Sequence, residues 1–398
     1  MFLGKRLPAW GETRTLMLLA LAVTTGSAPL AWTYMTGNYS WAVAVSSDGR
    51  YVIAGSDDMR AYFFDTRSAD GKPLWSYATN GYVRHVAISG NGTRAAASDL
   101  DGNIFLFRSD DPGKPIWSFR ADSPIDALAM DEEGDCLAAG DRNGDVYVFG
   151  TASATREYAI PGGVLAVSLS RSMTLSATST HGGLYFFGEV SLHATYVWSF
   201  QQDTSFPQIA MAEDGSYIVA GGSDGYMYLI DSSGQLLDRQ RVGAAISVIS
   251  MSDIARRAIA GSPDGIVSLY AVGARLERIG SLEIRKPVTS VALSWSGDRV
   301  SFASLDGTIA MFDQSLTTNL WTFHSGAIVH AMSISGNGRV MAAVDDTGSI
   351  YLFDEESSLR KSRTMIDAVV GLTLTVVCVG SIIAYLVFRQ RRNNGGRA

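Results

Sequence analysis

The chain has 398 residues, 46% hydrophobic and 18% charged, which is too apolar for disorder and long enough for several average domains or one large β architecture. Residues 1–28 and 365–398 carry formal charges of +2 and +3, so the overall −7 becomes −12 on residues 29–364. A surface that acidic is repelled by phosphate backbones and argues against nucleic acid as a partner. The two distant cysteines, Cys136 and Cys378, exclude a disulfide framework or a thiolate metal site.

From the N-terminus, Lys5, Arg6 and Arg14 precede an apolar block, Leu16–Val23, and the small residues Thr24–Ala28. That order predicts a signal peptide or short signal anchor over residues 1–28. The alternative is an uncleaved anchor over Thr15–Met35.

Beyond this point the chain repeats. Tight turns fall at Asp58-Met59, Asp101-Gly102, Asn143-Gly144, Gly182-Gly183, Asp224-Gly225, Asp264-Gly265, Asp306-Gly307 and Thr347-Gly348, spaced 38 to 43 residues apart. Asp-Gly and Asn-Gly supply the positive φ that a hairpin requires, and apolar strands such as Tyr51–Ala54 and Ala61–Phe64 flank them. Eight units of this period, each with several short strands, predict an all-β, eight-bladed β-propeller over residues 29–356.

A Trp-bearing strand recurs in the units: Pro73–Tyr77, Pro115–Phe119, Tyr196–Phe200 and Leu320–Phe323, with weaker copies near Glu157, Asp238 and Ile279. Seven such strands follow the first unit. The eighth, around Trp32, precedes it. The N-terminal strand at about Leu30–Met35 is therefore predicted to pair with Ser349–Asp354 of the last unit, closing the ring and removing an exposed sheet edge. The innermost strands carry Ala or Ser at their middle positions, Ala44, Ala87, Ala129, Ser168, Ala210, Ser250, Ala292 and Ser333. Small side chains are expected there because blades converge towards the axis.

The strands and turns around Val86–Ala97 and Asp101–Phe107 resemble WD-repeat propellers, although the Gly-His and Trp-Asp signatures of that family are absent. The Trp-Ser-Phe or Trp-Ser-Tyr strands after Gly71–Pro73 and Gly113–Pro115 resemble the quinoprotein-type, PQQ-like repeat, in which eight blades are usual. The resemblance implies the fold over residues 29–354. It implies little about activity, because such propellers host unrelated functions. Quinoprotein dehydrogenases use a vicinal disulfide and calcium; this chain has no adjacent cysteine pair, so those residues do not carry over. PQQ-like propellers that assist outer-membrane assembly are usually lipid-anchored, and no lipobox Cys occurs here.

The five histidines form no local metal spacing, and the Asp-rich stretches Asp131–Asp135 and Asp141–Asp145 lack the Gly and Glu positions of a calcium loop. No phosphate loop, nucleophile elbow or zinc helix occurs. The expectation is a non-enzymatic protein without a cofactor. Candidate functional residues are those at the start of each inner strand, on the rim of the ring: Trp41, Arg84, Asp126, Leu165, Pro207, Ser247, Thr289 and His330. Closure of the ring places Trp41, Arg84, Asp126 and His330 side by side, and Trp and Arg dominate interface energetics. The plain alternative is that these residues only cap their blades, Arg84 pairing with Asp126. Asn38-Tyr-Ser40 and Asn91-Gly-Thr93 are glycosylation candidates at Asn38 and Asn91 if the domain is exported.

After a charged linker, 357–365, residues Ala368–Phe388 run for 21 positions without a charge, followed by Arg389, Arg391 and Arg392. At about 1.5 Å per residue this spans a bilayer core, predicting a transmembrane helix over 366–388 and a basic cytoplasmic tail over 389–398. Gly380 and Ala384 form one small-residue pair within it. The expected role is a membrane-anchored, extracytoplasmic interaction scaffold or accessory subunit of a membrane or envelope complex. Its partners would be membrane or envelope proteins. The alternatives are a ligand- or quinone-binding propeller and an envelope-protein assembly factor.

Overall fold

The computed structural model describes residues 27–111, 114–150, 155–171, 173–189, 195–252, 254 and 256–356. The predicted span 366–388, its linker and tail, and all of segment 1–28 except Ser27 and Ala28 lie outside them. Among the described residues no helix is long and apolar enough to cross a membrane.

Thirty-two strands form eight four-stranded antiparallel sheets. The innermost strands are Ser40–Val45, Val83–Ile88, Ile125–Met130, Val164–Leu169, Gln208–Met211, Val248–Ser252, Val288–Leu293 and Val329–Ile334, which number blades 1 to 8. The third strand of each blade packs against neighbours on both faces, so it reads as a continuous apolar run. Arg60–Asp65 is exposed only at Arg60, with Ala61, Tyr62, Phe63 and Phe64 all buried. The outermost strands bury one face, as the alternation over Pro115–Arg120 shows. The weak Trp-less copies form outer strands too, at Thr155–Ala159, Leu236–Arg241 and Leu276–Glu283.

The ring closes as the repeat arithmetic requires. Leu30–Met35 lies antiparallel to Ser349–Asp354, with Trp32 opposite Leu352 and Met35 opposite Ser349, and completes blade 8. Trp32 is buried between blades 8 and 1, with Val43, Tyr62, Phe64 and Leu352. Its ring lies on Gly71, whose φ is +62° and where an added Cβ would sit 2.9 Å from the indole. Trp198 covers Gly234 of blade 5 in the same way and donates its indole N–H to the Ser232 carbonyl at 2.9 Å. In both blades a Gly before the outer strand is therefore a seat for the preceding blade's tryptophan.

Three of the small inner-strand residues do more than fit. The hydroxyls of Ser168, Ser250 and Ser333 accept the backbone N–H of Met211, Leu293 and Val45 on the next blade at 3.2, 3.3 and 3.0 Å. These bonds satisfy inner-edge donors that have no strand partner on the axial side. At the opposite mouth, the turns after the inner strands are linked by backbone bonds around the axis. Trp295 N–H donates to Gly336, Gly336 to Ser47, Asp48 to Gly90, and Gly90 to Glu132, at 2.8 to 3.1 Å.

Candidate functional site

The predicted rim positions share one structural device. In blades 1, 2, 3, 4, 7 and 8 the pairing of the inner strand with its neighbour skips one residue, and the skipped residues are Trp41, Arg84, Asp126, Leu165, Thr289 and His330. Each is the extra residue of a β-bulge, the local irregularity that re-aims a side chain and recurs near binding sites. Blades 5 and 6 start their inner strands at Gln208 and Val248 and lack the bulge. Pro207, with no N–H to offer a ladder, stands just outside the first of these.

Six of the eight rim residues, Trp41, Arg84, Asp126, Ser247, Thr289 and His330, line a central cavity of about 770 Å³ at this mouth. Leu165 and Pro207 do not line it. Trp41 is its centre: the His330 ring stacks on one side at 3.9 Å and 22° between planes, and the Arg84 guanidinium lies 4.0 Å from the ring centroid on the other. Both contacts suit the electron-rich face of an indole.

Asp57 holds this stack, and sequence reasoning missed it. Its carboxylate accepts the Trp41 indole N–H at 2.9 Å and an Arg84 Nη2–H at 3.2 Å, and the Arg84 Nε lies 3.2 Å from its other oxygen. Arg84 thus pairs with Asp57, not with Asp126. Asp126 instead receives two bonds from Arg142, at 2.8 and 3.1 Å. Asp57 and Arg142 occupy the same position in their blades, directly after the second strand, so in blades 1 and 3 a turn residue flanks the rim. The signal was present: the first unit reads Asp57-Asp58-Met59 where others end in Gly.

Burial holds the His330 imidazole below its ordinary range and that of His85, which also lines the cavity, down to about 4. Both are neutral near pH 7. The Nε2 of His330 and the hydroxyl of Thr289 are buried without a partner among the described residues. The mouth therefore offers an aromatic surface and two internally neutralised Arg–Asp pairs, while the two unpartnered polar atoms are shut off from solvent.

The Asp-rich turns are occupied with their own backbone. Asp141 accepts the N–H groups of Asn143, Gly144 and Asp145 at 2.9 to 3.0 Å. Asp131 accepts that of Cys136 at 2.9 Å. No group of His, Cys, Asp or Glu among the described residues is arranged to hold a metal ion. Of the histidines outside the mouth, His324 contacts Thr308 at 3.2 Å and His193 lies outside the described residues. Asn38 is exposed between Met35 and Tyr39 on the same mouth, and Asn91 is exposed in a turn at the opposite one.

Residues 33–65 match the family described as WD domain, G-beta repeat. No curated protein sequence matches the chain. Among solved structures, Sqt1 of Chaetomium thermophilum, bound to the N-terminus of the ribosomal protein L10, is similar at 16% identity and a TM-score of 0.72, over 82% of this chain and 100% of that one. The C-terminal WD40 domain of Sif2 is similar at 11% identity and a TM-score of 0.72, over 83% and 99%. The computationally designed Ika8 protein is similar at 18% identity and a TM-score of 0.71, over 83% and 100%. The single matched repeat and the eight-bladed architecture together support a WD-repeat type of propeller.

Proposed function

We propose that this chain is a non-enzymatic interaction scaffold whose bulged mouth takes a protein partner. We further propose that a helix over 366–388 anchors it in a membrane, with the propeller extracytoplasmic and residues 389–398 in the cytoplasm. One observation carries the first part: five bulged residues, Trp41, Arg84, Asp126, Thr289 and His330, line one central cavity, and His330, Trp41 and Arg84 are stacked there, with Trp41 and Arg84 held by Asp57. A pre-organised aromatic and guanidinium cluster binds without much loss of side-chain entropy. The likeness to Sqt1, seen with a peptide N-terminus of another protein, supports a partner of that general kind. The apolar run Ala368–Phe388 and the basic residues on both sides of it support the anchor.

The test must not strand a buried charge. Replacing Trp41 and Arg84 alone would leave the Asp57 carboxylate, its side chain 9% exposed, without its donors. The informative variant is Trp41→Ala, Asp57→Ala and Arg84→Ala together. It should lose co-purification of the main partner from native membranes while retaining a cooperative unfolding transition. Retained co-purification in the folded variant would move the interface away from this mouth.

A second reading is favoured by the cavity, whose volume of about 770 Å³ lies in the range of small-molecule sites. In that reading the stack would hold an aromatic ligand such as a quinone, as the PQQ-like resemblance implies. Visible absorbance of the purified protein, lost in the same triple variant, would favour it over the scaffold.

A further inference from the structure

We propose that the outer part of this mouth, over blades 8, 1 and 2, is a docking surface for a short basic segment of a protein partner, carrying apolar anchors between its lysines and arginines. The proposal rests on the reading that this mouth is the working face.

Four large apolar side chains stand exposed there: Met35 at 61%, Tyr39 at 50%, Met59 at 42% and Tyr82 at 41%. Backbone bonds show that the loops bearing them are contiguous. Thr36 N–H donates to the Gly348 carbonyl, Asp57 to Tyr39, Thr79 to Met59 and Leu100 to Tyr82, at 2.8 to 3.0 Å. The path runs unbroken from the blade 8 turn to the blade 2 turn. Tyr and Met are the residues that adaptable interfaces favour.

Met59 adds an independent observation. In the other seven blades the turn position carries Gly at φ between +79° and +101°. Met59 takes the same left-handed conformation at φ +64° with its side chain in solvent. A non-glycine residue there strains the backbone, and its exposed thioether gains nothing from the core. Such strain is a mark of a position kept for its side chain's contacts.

Charge selects the occupant. The turns of this crescent present Asp58, Asp101, Asp122 and Asp346 against Arg60 and Arg120, while Asp57 and Arg84 neutralise each other and Asp99 and Asp345 are buried. Asp101 is exposed and its carboxylate accepts no hydrogen bond among the described residues. A basic segment satisfies this field and can lay its cations on Tyr39 and Tyr82. An anionic lipid surface is repelled by it, and so is a second copy of a propeller whose residues 29–356 carry −15.

The test places a photo-crosslinking benzoylphenylalanine, in the full chain in native membranes, at position 82, at position 41 in the channel, and at position 254 on the opposite mouth. Mass spectrometry then identifies the captured segment. The expected result is an adduct at 82 and none at 254, to a segment with Lys and Arg in excess over Asp and Glu. Asp101→Lys should lower its yield at least about three-fold, and so should about 0.5 M salt. Met59→Gly should lower the yield without lowering the melting temperature. A neutral or acidic segment, a second copy of this chain, a lipid adduct or no adduct at 82 overturns the proposal. An adduct at 41 without one at 82 removes this surface and leaves the rim reading standing; the reverse removes the rim reading alone.

Discussion

Truncating Trp32 to Ala tests the closure of the ring. The side chain is 8% exposed, 5.2 Å from the Phe64 ring, and seated on Gly71 of blade 1. Removing it exposes or empties about 150–200 Å² of apolar contact, worth about 4–5 kcal/mol at 25 cal/mol per Å². One term opposes this. The indole N–H is buried with no acceptor among the described residues, and deleting it returns about 1 kcal/mol of desolvation cost. The net expectation is a loss of about 3–4 kcal/mol, within the range for buried Trp→Ala changes. Trp32→Phe separates the two terms, because it keeps most of the ring and removes the N–H; it should change stability by less than about 1 kcal/mol. Urea unfolding of the full chain, followed by far-ultraviolet circular dichroism, reads both as midpoint shifts at constant slope. Deleting residues 29–36 should leave an unclosed ring that aggregates. An alanine variant within about 1 kcal/mol of the parent, or a phenylalanine variant as unstable as the alanine one, refutes the reasoning.

Two further substitutions read other parts of the ring. Met59→Gly relieves a left-handed conformation and should stabilise the fold by about 1 kcal/mol in the same urea assay. Glu132→Gln tests a titration at the opposite mouth. There the Glu132 side chain lies against Gly90, and burial raises its carboxyl to about 7 against the opposing 3.0 Å bond from Ser47. A carboxyl raised above its unfolded value contributes stability that is complete below about 4.5 and is lost as pH rises through about 7. His85 acts in the other direction: its neutral form is preferred in the fold, so its contribution is present above about 6.5 and lost as pH falls towards 4. The melting temperature of the parent relative to Glu132→Gln should therefore fall between pH 5.5 and pH 8, and a constant difference would refute the assignment.

The eight blades and their closing strand were legible in the sequence because their signals are local and recurrent. Turn residues with positive φ, alternating strands and a Trp at a fixed offset repeat every 40 or so residues, and one displaced copy at Trp32 revealed the exchange. The rim residues were legible by register alone. Their common cause was not, since a β-bulge is a property of pairing between two strands and leaves no composition of its own at Trp41 or Thr289. The pairing of Arg84 with Asp126, weighed as the plain alternative, differs from the structure for a related reason. Adjacent rim positions suggested Asp126, but the hairpin turn of each blade returns to the same mouth and places Asp57 and Arg142 closer. In the sequence Asp58-Met59 counts as one more of the eight tight turns, although its departures from Asp-Gly at Asp57 and Met59 are where the stack is held and where the backbone is strained.

The same geometry sets the two sequons apart. Asn38 is exposed on the proposed docking mouth, its side-chain carbonyl accepting the Tyr39 N–H at 2.9 Å, so a glycan there would stand over Tyr39 and beside Met35. Asn91 lies in a turn at the opposite mouth, where its carbonyl accepts the Thr93 N–H at 3.0 Å. If the propeller is exported, both meet the same glycosylation machinery, but only one modification competes with a partner for space. A branched glycan excludes a volume far larger than the loop that carries it, and the anchors of the crescent lie within one or two residues of its root. On the proposed docking, a partner and a glycan at Asn38 would exclude each other on a single molecule, whereas a glycan at Asn91 would not interfere. Peptide mapping of chains captured through position 82 should find Asn38 unmodified and Asn91 modified to the same extent as in the uncaptured pool. Glycosylated Asn38 in the captured chains would show that a partner in contact with position 82 leaves the Asn38 loop uncovered, and would refute the exclusion.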